Sequence, residues 1–149
     1  MNDERIVAQK YIAIGLWVLL ALFSLRVLGQ LLAYWFNSSF LPPFSAWYSG
    51  SLNYNFLLIS QFIIIGLMIV LNFRFTKRVV VSRPFFGQVI GVIGLIYFIV
   101  MFARLGISLF KLSDQVWFNR PIPSFFHLVL ASYLMLVAKY HLIATDSKE

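Results

Sequence analysis

The 149-residue sequence contains no cysteine. That absence excludes a disulfide framework, a thiol nucleophile, an iron–sulfur centre and a thiol–disulfide relay. Carboxylates are scarce too: there are five, Asp3, Glu4, Asp114, Asp146 and Glu149, and none lies between Glu4 and Asp114. No pair of acids flanks a site, which argues against glycosidase-type catalysis. No acid sits inside an apolar run, which argues against a proton- or sodium-coupled transporter acting alone. Two histidines with so few acids make a poor metal site. Walker and dinucleotide-binding glycine motifs are missing. Charged residues make up 11% of the chain, against about a quarter in a soluble domain. A soluble globule is therefore excluded, and so is disorder, which needs low hydrophobicity and high charge.

What the chain has in abundance is apolar residues, 61% of the total. They fall in four continuous runs, at about 11–36, 56–73, 85–109 and 125–142. Each is long enough to cross a hydrocarbon layer of about 30 Å as a helix. None alternates as a barrel strand would. The expected fold is an all-α integral membrane protein, a single domain built as a four-transmembrane-helix bundle. The first run is too long for a secretory signal and ends in bulky Tyr34-Trp35-Phe36 rather than a small-residue cleavage site, so it is expected to be retained.

Basic residues set the expected orientation. Arg5, Lys10, Arg74, Lys77, Arg78, Arg83, Lys139 and Lys148 fall on one side of the runs, and only Lys111 and Arg120 on the other. The positive-inside rule then places both termini and the 74–83 loop in the cytoplasm. The net charge of +7 is accounted for by topology and by contact with anionic lipid. No nucleic-acid partner is expected, because the charges abut the spans.

Two longer segments, 37–55 and 110–124, are expected outside. The first is rich in turn formers and in aromatic residues that would lie back on the membrane. Trp35, Trp47 and Trp117 would form an aromatic belt. Asn37-Ser38-Ser39 matches a glycosylation sequon, a short match that arises readily by chance. Ser124 is placed to cap the fourth helix.

Polar residues inside apolar runs are costly and mark function. Arg26 and Gln30 lie in the first run, Gln61 in the second, Arg104 in the third, and His127 and His141 at the ends of the fourth. At 1.5 Å per residue, Arg26 lies roughly 22 Å and Arg104 roughly 28 Å from the inner edge. With Gln30, Gln61 and His127 they converge on the outer third of the bilayer. Helical periodicity groups Gly15, Leu22, Arg26, Gly29 and Ala33 on one stripe of the first run. It groups Gly87, Gly91 and Gly94 on a packing face of the third, beside Tyr97, Met101, Arg104 and Ser108. His127, Ala131, Leu134, Ala138 and His141 share a face of the fourth.

The expected site is an anion or headgroup pocket made of Arg26, Gln30, Gln61, Arg104 and His127. Guanidinium groups suit bidentate oxyanion binding. The competing readings are that the arginines snorkel to headgroups and that Gln61 only joins helices. The 14-residue interval between His127 and His141 resembles the paired haem ligands on one helix of the cytochrome b proteins. That resemblance rests on two residues and needs two further histidines, so no cofactor is expected.

Two functions remain. One is a noncatalytic subunit or assembly partner of a larger membrane complex, with other membrane subunits or a second copy as partner. The other is a lipid- or quinone-handling protein. Membrane lipids are the expected partner in both, and a bacterial inner membrane is the expected location.

Overall fold

The computed structural model of the protein describes residues 2–36, 40–48, 53–110 and 120–143. These form five helices: α1 (Asn2–Phe36), α2 (Phe44–Trp47), α3 (Tyr54–Thr76), α4 (Pro84–Leu109) and α5 (Pro121–Ile143). Four contain stretches long and apolar enough to cross a membrane: Ile6–Phe36, Tyr54–Thr76, Pro84–Leu109 and Pro121–Ile143. The chain is an all-helical integral membrane protein among its described residues.

Local chemistry explains where the helices begin. Asn53 precedes α3, and its side chain accepts a hydrogen bond from the Asn55 backbone N–H at 3.1 Å, which serves an amide the helix itself leaves unpaired. Pro84 opens α4, and Pro121 and Pro123 both lie in the first turn of α5, where a missing N–H costs nothing. The start of α5 corrects the expected cap. Ser124 lies inside the first turn, and its hydroxyl donates back to the Arg120 carbonyl at 3.1 Å. Likewise α1 reaches back to Asn2, because the polar residues before Tyr11 continue a helix that their hydropathy does not report.

The helices pack in the order α4, α5, α1, α3, so that α5 and α1 form the central seam. Only 11% of the apolar window of α4 and 17% of that of α3 is buried within the protein, against 39% for α1 and for α5. The outer two helices leave most of their apolar surface outside the protein's own core. They make no close backbone contact with one another; α5 side chains bridge toward α3 instead.

Of the stripe expected on α1, Arg26 and Ala33 are buried, and Gly15 lies against α5, where a Cβ would be 2.9 Å from Leu136 Cδ1, but Leu22 is exposed. A helix with neighbours on two sides buries a wide stripe, and here Ile12, Leu16, Leu20, Phe23, Val27 and Gln30 are buried as well.

Glycines on α4 do face a neighbour. A Cβ at Gly87 would lie 2.8 Å from His141 Cβ, one at Gly91 3.5 Å from Ala138 Cβ, and one at Gly94 3.2 Å from Met135 Cγ. All three lie against α5, where the missing side chains let the backbones approach.

The connection between α3 and α4 is tightly tied. Arg78 adopts a left-handed conformation (φ 55°), with Val79 N–H bonded to the Arg74 carbonyl (3.2 Å) and Arg78 N–H to the Phe75 carbonyl (3.0 Å). This is the Schellman closure of a helix C-terminus. The chain then runs extended to α5. There the Tyr140 hydroxyl donates to the Val80 carbonyl (3.2 Å) and the Ser82 hydroxyl to the His141 carbonyl (2.6 Å). His141 Nδ1 accepts from the Arg83 N–H at 3.2 Å, just before α4 begins.

Candidate ligand pocket

A cavity of about 240 Å³ opens between α1, α3 and α5 in the half of the molecule nearest α2. Arg26 from α1, Gln61 from α3 and His127 from α5 all line it, with Phe23, Ile64 and Phe126 among its apolar walls. Three of the five expected site residues therefore meet at one cavity. Gln30 stands behind it: Gln61 Nε2 donates to Gln30 Oε1 at 3.4 Å. Gln30 is 1% exposed and Gln61 3%. One bond between two primary amides leaves Gln30 Nε2 and Gln61 Oε1 without a partner.

Arg26 is 7% exposed. Nη2 donates to the Trp47 carbonyl at a long 3.4 Å, and the guanidinium carbon lies 5.9 Å from the Phe126 ring centroid. Nε has no hydrogen-bond partner. A buried guanidinium held by one carbonyl and one aromatic face retains unmet capacity for an acceptor.

The carbonyl comes from an element the sequence reading missed. Residues 37–55 were expected as a surface loop with Trp47 in the aromatic belt. Instead the short α2 carries Trp47 back onto α1, so close that a Cβ at Gly29 would lie 2.8 Å from Trp47 Cη2. Trp47 Nε1 donates to the Pro42 carbonyl at 3.0 Å. Gly29 is the signal that could have revealed this, since a glycine in mid-helix marks a close approach. Phe44, Tyr48, Tyr54 and Tyr34 form an aromatic cluster beside it, with centroids 4.5 to 6.2 Å apart.

Arg104 is buried on α4 at 3% exposure, but it does not line the cavity. It lies within electrostatic reach of Tyr97 and His127. Tyr97 bridges the two helices, its hydroxyl bonded to His127 Nδ1 at 2.5 Å. His127 therefore stands between Arg104 on one side and the Arg26 cavity on the other. Asp114, Trp117 and the sequon lie outside the described residues.

His141 lies at the opposite end, ringed by Phe75, Phe86 and Tyr140. Each histidine has one ring nitrogen engaged within the protein, and no cluster of three metal-ligating side chains occurs among the described residues.

A second buried polar group went unread in the sequence. Asn72 is 0% exposed. Its Oδ1 accepts from the Tyr133 hydroxyl at 2.8 Å, and that hydroxyl also lies 3.4 Å from the Met68 carbonyl. The Asn72 carbonyl accepts from the Thr76 hydroxyl (2.8 Å), whose oxygen accepts from Trp17 Nε1 (3.0 Å). This chain ties α1, α3 and α5 together in the half remote from the cavity. Asn72 stood near the end of its apolar run, where a polar residue looks like a boundary.

No family model, curated protein or solved structure matches this chain. The functional reading therefore rests on the geometry.

Proposed function

We propose that this is a noncatalytic membrane protein that holds the anionic headgroup of a lipid in the cavity between α1, α3 and α5. The observation that carries this reading is Arg26. Its guanidinium is buried beside an open cavity, in a chain with no carboxylate from Glu4 to Asp114. A charged side chain at the centre of a spanning helix costs on the order of 2.5–3.5 kcal/mol on insertion scales, and an anion in the cavity offsets that cost. Arg26 would supply charge and a planar donor fork, Gln61 and Gln30 the spare amide capacity, and His127 a polar wall positioned by Tyr97. Arg104 would add long-range positive potential rather than a contact.

Purification of the wild type, Arg26→Lys and Arg26→Leu in mild detergent, with native mass spectrometry of what each retains, tests the reading. The expected result is a specific anionic lipid on the wild type. Arg26→Lys should hold it at least tenfold more weakly, because an ammonium does not reproduce the fork. Arg26→Leu should lose it while eluting as folded protein. A folded Arg26→Leu that keeps as many anionic lipids as the wild type would sink the proposal.

A second reading, a noncatalytic subunit or assembly partner of a larger complex, is favoured by the exposure of α3 and α4. Stoichiometric co-purification of another membrane protein, with no bound lipid, would select it.

A further inference from the structure

A larger cavity, about 440 Å³, lies at the other end of the molecule, under the 77–83 connection. Its deep wall is apolar: Leu71 and Phe75 from α3, Ile90 from α4, Leu134 and Val137 from α5. Arg74 and Arg83 are also among its lining residues, both exposed, with Lys77 and Arg78 beside them. A volume in the range of ligand pockets, about 300–1,000 Å³, thus combines a greasy interior with cationic side chains at the end of the spans. The cavity exists because α3 and α4 do not meet while the connection between them is held to α5 by Tyr140, Ser82 and His141. Those bonds fix Arg83 relative to α5, and the helix-closing turn at Arg78 fixes Arg74 relative to the same connection.

We infer that this cleft binds one anionic phospholipid of the bilayer, with an acyl chain between α3, α4 and α5 and its phosphate between Arg74 and Arg83. Charge complementarity selects the occupant. The cationic groups carry no carboxylate in their own segment or in any of the four apolar runs, and basic pockets between spans are where anionic headgroups bind. A zwitterionic lipid fits the apolar part equally well but brings an ammonium among the basic groups. A partner helix would need an acid of its own to satisfy them. The site is separate from the Arg26 cavity: Arg74 lies 13 residues along α3 from Gln61, roughly 20 Å.

The test uses the full chain in mild detergent, titrated with dioleoyl-phosphatidylglycerol and, separately, with dioleoyl-phosphatidylcholine. Native mass spectrometry counts bound lipid. The wild type and Arg26→Leu, which lacks the other site, should both prefer phosphatidylglycerol, and Arg26→Leu should take up one at least tenfold more tightly than phosphatidylcholine. Arg74→Gln combined with Arg83→Gln, added to Arg26→Leu, should erase that preference. Val81→Trp, which fills the exposed mouth of the cleft without touching the core, should weaken both lipids and serves if the double variant does not fold. Arg26→Leu should leave this preference intact, which separates the two sites. Equal uptake of the two lipids by the wild type overturns the assignment. So does a preference that survives both the double substitution and Val81→Trp when each is combined with Arg26→Leu, or one that Arg26→Leu alone abolishes.

Discussion

Gly87 and Gly66 are chemically identical and physically opposite. Gly87 is buried against α5, with three α5 atoms within 3.3 Å of where a Cβ would stand, whereas a Cβ at Gly66 would meet nothing within 4 Å. Gly87→Leu should therefore force α4 off α5, at a cost of about 1–3 kcal/mol or more from overpacking. Gly66→Leu should be nearly neutral. Heating both variants in detergent and measuring the monomer peak that survives decides it; equal losses would remove the case for the α4–α5 glycine contact. This distinction was legible for Gly87, Gly91 and Gly94 because their spacing places them on one helical face. It was not legible for Gly29, whose partner Trp47 arrives from a segment with no periodic pattern. Asn72 and Tyr133 were missed for a related reason. Each looks ordinary in its own run, and only tertiary packing brings the amide to the phenol.

At the level of elements, the connection from α3 to α4 shows how a sequence signal can be read for the wrong property. Arg74, Lys77, Arg78 and Arg83 register in the sequence as a topology mark. In the fold they also surround a closed turn that ends α3 and delivers the chain to α5. The turn places Arg78 in the left-handed region, where a residue with a Cβ is held at a cost of roughly 1–2 kcal/mol. Arg78→Gly should keep the turn and raise thermal stability by about 1 kcal/mol, while β-branched Arg78→Val should lower it. Melting curves of the two variants should move in opposite directions; a destabilised Arg78→Gly would show that the arginine side chain, not the backbone, is what matters there. The span positions themselves were legible throughout, since continuous apolar runs need no partner to be recognised. The helix ends were less so: Ser124 has the chemistry of a cap, yet Pro121 and Pro123 begin the helix a turn earlier.

For the molecule as a whole, the sequence conveys the number of spans but not their order in space. Nothing in the four runs says that α5 sits between α4 and α1, because all four are similarly apolar. The polar residues carried part of that information: Arg26, Gln61 and His127 were grouped by depth, and they do line one cavity, while Arg104 has similar depth but projects from a helix on the other side of α5. Depth fixes one coordinate and leaves the rotation and order of helices open. With eight basic residues on the side of the 74–83 loop and two on the other, a reporter active only outside should stay silent when fused after residue 149 and be active when inserted near residue 115. The reverse pattern would place the Arg26 cavity toward the cytoplasm.

The central place of α5 has a temporal meaning. Membrane helices enter the bilayer in the order of synthesis, and α5 is the last of the four to emerge. Until it does, α4 has no helix to lie against, the glycine face at Gly87 is bare, Tyr133 has not reached Asn72, and the cavity around Arg26 lacks its third wall. The earlier elements already pack on one another, α3 on α1 and the Trp47 carbonyl of α2 on Arg26, so what the last span brings is the seat for α4, the partner of Asn72 and the closing wall of the cavity.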